Sequence, residues 1–119
     1  MLLPFFSVPT LPPSSFNTSA ITKTTISLIW QEIPATDKHG IINGYEVTYE
    51  EEGTVNETKR ITLSHDALSV FLFKLIPFTY YNITLCGFTS KGKGVKGHLR
   101  IQTSEGGKTS FVIPVLIKC

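Results

Sequence analysis

Leu75-Ile76-Pro77-Phe78-Thr79-Tyr80-Tyr81-Asn82-Ile83-Thr84-Leu85-Cys86-Gly87-Phe88 is the stretch whose reading decides the fold. Its first half ends one strand, turns at Pro77 and starts another at Tyr80 or Tyr81. Proline suits that turn because its ring fixes φ and it has no N–H to leave unpaired. The second half alternates: Tyr81, Ile83, Leu85 and Gly87 share one face, and Asn82, Thr84, Cys86 and Phe88 the other, the period of a half-buried strand. A tyrosine at the start of such a strand, just past a proline turn, fits the tyrosine corner of β-sandwiches. There the ring is buried and the hydroxyl bonds back to nearby backbone. Tyr81 is the corner residue on this reading.

Working outward, the flanking sequence divides into short strands separated by turn signals. Phe16 to Ile21 reads as an edge strand. Thr24 to Trp30 is stronger, with Ile26, Leu28 and Trp30 alternating against Thr25, Ser27 and Ile29. After a polar loop from Pro34 to Gly40, Ile41 to Glu50 places Tyr45, Val47 and Tyr49 inward and Glu46, Thr48 and Glu50 outward. Glu57 to Leu63 is a short polar strand, and Ser69 to Leu75 is strongly apolar. Beyond the corner strand Tyr80 to Phe88, the glycine-rich run Ser90-Lys91-Gly92-Lys93-Gly94 reads as a hairpin loop, and Lys96 to Thr103 closes the set with Ile101 and Thr103 inward. Seven strands and no helical period predict an all-β sandwich. The expected core is Ile26, Leu28, Trp30, Tyr45, Val47, Tyr49, Val70, Leu72, Leu75, Tyr81, Ile83, Leu85 and Ile101.

The totals agree. With 119 residues, 41% hydrophobic and 17% charged, the chain has room for one domain with a modest core. A net charge of +2 is far from the clustered cationic footprint of a nucleic-acid binder, and no basic run is interleaved with aromatics, so no nucleic-acid partner is expected. Two cysteines, Cys86 and Cys119, make no disulfide framework; Cys86 is expected on the outer face as a semi-buried hydrophobe, with a bond to Cys119 left open. No stretch approaches the roughly 18 apolar residues of a membrane span. Residues 1–12 read as a linker from a preceding domain or the start of a fragment, in preference to a poor signal-like segment. Residues 13–104 form the domain, and 105–119 a linker with an apolar tail, open to being a truncated element.

At this point the residues resemble a fibronectin type III domain, from about Pro13 to Thr103. The resemblance rests on Trp30, on Gly44-Tyr45-Glu46-Val47-Thr48-Tyr49, on Leu75-x-Pro77-x-Thr79-x-Tyr81 followed by Ile83-x-Leu85, on Gly92-x-Gly94 and on Ile101-x-Thr103. Gly87 departs from it, since such domains usually carry alanine there, which predicts looser packing; Cys86 is unusual as well. The resemblance implies a seven-stranded immunoglobulin-like sandwich. It also implies a module of extracellular or cell-surface proteins, strung in tandem, that spaces and binds proteins rather than catalysing. Two contexts stand as alternatives: the ectodomain of a receptor tyrosine phosphatase or kinase whose catalytic domain lies outside this chain, and an intracellular structural repeat.

Candidate sites follow. Three N-x-[ST] sequons begin at Asn17, Asn56 and Asn82, and glycosylation of any of them requires secretion. If Val70, Leu72 and Leu75 face the core, Phe71 and Phe73 face out, with Ile29 beside them; such a patch is a protein interface, against a shifted register or cover by a linker segment such as Leu2 to Phe6, with interface and cover standing level. Lys91, Lys93, Lys96 and Arg100 mark a possible patch for an acidic protein or sulfated glycan, against the stronger reading of a solvated face partly neutralised by Glu46 and Glu50. His39, His65 and His98 lack metal-site spacing, and His65-Asp66 has neither a nucleophile elbow nor an oxyanion loop. Neither a cofactor nor catalysis is expected.

Overall fold

The computed structural model describes residues 8–33, 41–54 and 57–105. Eight strands are present among the described residues: β1 (Ser14–Ile21), β2 (Ile26–Gln31), β3 (Gly44–Glu51), β4 (Lys59–Ser64), β5 (Ser69–Leu72), β6 (Tyr80–Thr89), β7 (Gly92–Lys93) and β8 (Gly97–Gln102). They form two antiparallel sheets. One is β1-β2-β5; the other runs β4-β3-β6, with β7 and β8 both pairing β6.

The eighth strand has a local cause. Thr89 and Gly92 pair across the two-residue turn Ser90-Lys91, with Gly92 at φ 134°, a conformation glycine adopts without steric cost. Gly94 still donates its N–H to Gly87 O at 2.9 Å, but Val95 donates to Pro9 O at 3.2 Å instead of to β6. Pairing resumes with Gly97 opposite Leu85, one residue out of step. The expected hairpin loop therefore contains a short strand of its own, separated from the last strand by a bulge beside the incoming segment at Pro9.

Between the sheets lie Ile26, Leu28, Trp30, Tyr45, Val47, Leu72, Leu75, Tyr81, Ile83 and Leu85, with Tyr49, Val70 and Ile101 packed against them. Each fully buried leucine or isoleucine removes enough apolar surface from water to contribute about 1.5–3 kcal/mol. Trp30 and Tyr45 meet at 5.6 Å between ring centroids with planes tilted 58°, a geometry that suits the ring quadrupoles.

The corner is tied from both sides. Ile76 donates its N–H to the Tyr81 hydroxyl at 2.9 Å. The buried Thr103 hydroxyl donates to Ile76 O at 2.6 Å and accepts from Thr79 N–H at 3.0 Å. Within the turn, Phe78 sits at φ 53° and donates its N–H to Ser104 O. Just before it, Lys74 at φ 59° stops β5 at Leu72, short of the expected Leu75.

Three sequence expectations are corrected on the larger sheet. Glu46 points outward as expected yet is buried, because Lys93 at 3.1 Å and Arg60 at 3.8 Å close over its carboxylate. Cys86, opposite Glu46 in the ladder, is buried rather than half-exposed, and its thiol is free. Packing at Gly87 is not loose: Ile33 fills the space, its Cδ1 lying 2.8 Å from where a Cβ would stand.

Candidate functional site

The apolar face of the smaller sheet is built by alternation. In β2 and β5, Leu28 and Leu72 point inward, so Ile29 and Phe71 point outward. The ladder places Ile29 opposite Ser69 and Ser27 opposite Phe71, which makes Ile29 and Phe71 diagonal neighbours. Phe73 follows beyond the strand, its ring centroid 5.7 Å from that of Phe71. The three expected interface residues are therefore brought together, at 42%, 54% and 60% exposure for Ile29, Phe71 and Phe73.

Phe71 and Phe73 also line a groove of about 570 Å³ where the free edges of β4 and β5 approach. Tyr49, Ile61, Leu75 and Tyr81 give it an apolar floor. Glu50, Glu51 and Glu57 stand on its rim with Lys59 and Lys74. Its apolar walls and mixed-charge rim suit contact with another macromolecule. Sequence reasoning found the two phenylalanines but missed the groove, because it arises from two strands that never pair.

The four cations do not gather as one free cluster. Lys93 is held on Glu46. Arg100 makes a two-pronged bond to Glu52 at 2.6 and 2.8 Å, and its guanidinium stacks 3.8 Å above the Tyr80 ring. That pairing holds the Glu52 carboxyl below its usual range. Lys91 stands at the hairpin tip and Lys96 in the bulge, both exposed. A tyrosine in register with an arginine two residues along the neighbouring strand was the only sequence signal for this stack.

Of the sequon asparagines, Asn17 is exposed on β1, directly opposite Ile29. Asn82 is half-buried in central β6, between Glu50 and Arg100, and the Thr84 hydroxyl of its sequon bonds to Thr48. Asn56 lies outside the described residues, as do Leu2 to Phe6, the Pro34–Gly40 loop with His39, and Cys119.

Among the described residues no group of three His, Cys, Asp or Glu could hold a metal, and no helix is long and apolar enough to cross a membrane. Asp66 is a turn clip: it accepts from Ser64 at 2.6 Å, and that bond holds its carboxyl below the usual range. Burial pushes the Cys86 thiol up, assisted by Glu46.

Comparison with known proteins places this geometry. The profile of the Fibronectin type III domain matches residues 11–104. Protein sidekick-1 of Gallus gallus is 31% identical over 90 residues, 75% of this chain and 4% of that protein. Receptor-type tyrosine-protein phosphatase F of Bos taurus is 30% identical over 103 residues, 83% of this chain and 5% of that protein. The crystal structure of the chicken CNTN1 FN1-FN3 domains superposes with a TM-score of 0.72 at 24% identity, covering 82% of this chain and 33% of that one. The chain thus spans about a twentieth of the length of these curated relatives. With sandwich, corner and split edge in place and a profile covering the whole described domain, the chain belongs to the fibronectin type III family, a non-catalytic structural module similar to those of adhesion and receptor proteins.

Proposed function

We propose that the chain is a non-catalytic protein-binding and spacer module of an extracellular adhesion, receptor or matrix glycoprotein. The observation that carries the reading is the outward face of Ile29, Phe71 and Phe73 beside the β4–β5 groove. An exposed isoleucine and two adjoining phenylalanines on one side of a small domain cost solvation unless a partner covers them. The protein partner, or a neighbouring tandem domain, makes contact there.

The relatives support a cell-surface setting, since they include sidekick-1 and a receptor-type phosphatase. The phosphatase likeness favours a second reading, a repeat in a receptor ectodomain whose catalytic part lies outside this chain. A sulfated glycan is the weaker ligand, because Lys93 and Arg100 already hold carboxylates.

Labelling intact cells with an antibody raised against residues 8–105 tests the location. Staining before permeabilisation is expected. Signal that appears only after permeabilisation overturns the reading in favour of an intracellular repeat.

A further inference from the structure

The outward face of the smaller sheet has a candidate cover within the same domain. Asn17 is exposed on β1 and is the direct ladder partner of Ile29. Partners of this kind put their side chains on one face with Cβ atoms about 5 Å apart. One step along, the Ser19 and Ser27 hydroxyls meet at 2.7 Å, and Ser27 in turn faces Phe71. From Asn17 to Phe71 is two strands across and two residues along, about 12 Å by standard strand spacing. Between them lie Ile29 and small serines, with no bulky side chain in the way. The Asn17 Oδ1 accepts from Thr18 N–H at 2.8 Å, leaving Nδ2 as the atom free to carry a substituent. Residues 17–19 read Asn-Thr-Ser, an acceptor for N-glycosylation.

We propose that Asn17 carries an N-linked glycan whose first sugars lie over Ile29 and Phe71, closing this face to protein. Glycosylated copies and partner-binding copies are then separate populations. The proposal rests on the cell-surface reading above.

In the transfer, a bond forms between Asn17 Nδ2 and C1 of the first N-acetylglucosamine of a lipid-diphosphate-linked oligosaccharide. The bond from that C1 to the diphosphate breaks, the lipid diphosphate leaves with its electron pair, and the amide loses one proton. Transfer precedes folding, so the fold decides where the sugars come to rest. Pyranose rings present a face of C–H groups, which covers apolar side chains while the hydroxyl edges stay in water. Asn82 offers no such bed, because its neighbours on both sides are the charged Glu50 and Arg100.

The test uses the full chain secreted from cells that glycosylate, with site occupancy read by mass spectrometry of the glycopeptides. Hydroxyl-radical labelling of Phe71 and fluorescence of a hydrophobic dye report access to the face. Asn17→Gln and Ser19→Ala remove the glycan by independent routes, and both are expected to raise Phe71 labelling several-fold. Asn82→Gln is expected to leave it unchanged, and adding Phe71→Ser to Asn17→Gln to abolish the gain in dye signal. Asn17 found bare, or found glycosylated with Phe71 labelled as strongly as in Asn17→Gln, overturns the proposal. A glycan on Asn56 or Asn82 with Asn17 bare overturns it while leaving the surface reading intact; failure of intact-cell labelling strikes the surface reading itself.

Discussion

Replacing Thr103 with valine keeps the side-chain shape and removes one buried hydroxyl, and the cost is readable from the corner. That hydroxyl donates to Ile76 O at 2.6 Å and accepts from Thr79 N–H at 3.0 Å. Thr103 is buried and both bonds are partly shielded from solvent, so water replaces the lost partner only in part. Each such loss costs about 1–3 kcal/mol, and the pair about 2–4 kcal/mol. A single domain of this size has about 5–15 kcal/mol in all, and each kcal/mol moves its midpoint by about 4–8 °C. Thr103→Val is therefore expected to lower Tm by roughly 8–30 °C. Tyr81→Phe removes the acceptor of Ile76 N–H, which is only partly shielded from solvent, and is expected to cost about 1–2 kcal/mol.

The two substitutions release the N–H and the C=O of one residue. Once either bond is lost Ile76 can shift, and the second bond is worth less. The double variant should fall short of the sum by about 0.5–2 kcal/mol. The assay is equilibrium urea unfolding followed by the fluorescence of Trp30, buried against Tyr45, with the urea slope unchanged as the sign that only the native state was altered. A Thr103→Val loss below about 0.5 kcal/mol, or additivity within about 0.3 kcal/mol, would refute the clamp.

Other expectations follow from single contacts. Gly44→Ala puts a Cβ 2.4 Å from the Leu63 carbonyl and 2.7 Å from Phe88, and backbone cannot retreat cheaply, so a loss of about 2–3 kcal/mol is expected in the same urea assay. Gly87→Ala meets only the mobile end of Ile33 and should cost less than about 1 kcal/mol. In a Cys119→Ser background, Cys86 should resist a thiol reagent until the domain unfolds. Because burial raises its pKa above that of an ordinary thiol, the folded state holds a proton that the unfolded state gives up, so stability should fall as pH rises through the ordinary thiol range. Glu52 runs the opposite way: its lowered pKa adds stability above the ordinary carboxylate range that is lost in acid. Carboxyl NMR titration should find its midpoint displaced upward by Arg100→Ala.

Tyr81, Pro77 and the alternation through Leu85 were legible in the sequence because each carries a local rule: a fixed φ, a buried ring with a polar tip, a period of two. The core and the outward placement of Phe71 and Phe73 follow from the same period. What stayed hidden depends on distant chain. Glu46 looks like an ordinary outward carboxylate until Lys93, almost fifty residues on, folds over it. The split between β7 and β8 depends on Pro9 taking the Val95 N–H, which no pattern inside residues 89–103 encodes. Phe78 at positive φ runs against the local preference of a bulky residue, and only its bond to Ser104 explains why the turn holds it there. The groove required knowing that β4 and β5 face each other with both edges unpaired.

Those edges bear on the proposed place of the chain in a tandem protein. Modules joined by short linkers meet one another at effective concentrations in the millimolar range, where two straight, open strands would zip together. Here β1 is interrupted by two register irregularities, β5 lasts four residues before Lys74 turns it aside, β4 opens on Lys59-Arg60, and the last edge is broken at Val95. Each defect forfeits hydrogen bonds within the sheet and denies a neighbour a regular template. In the proposed tandem setting, the ragged perimeter favours each copy folding with itself alone.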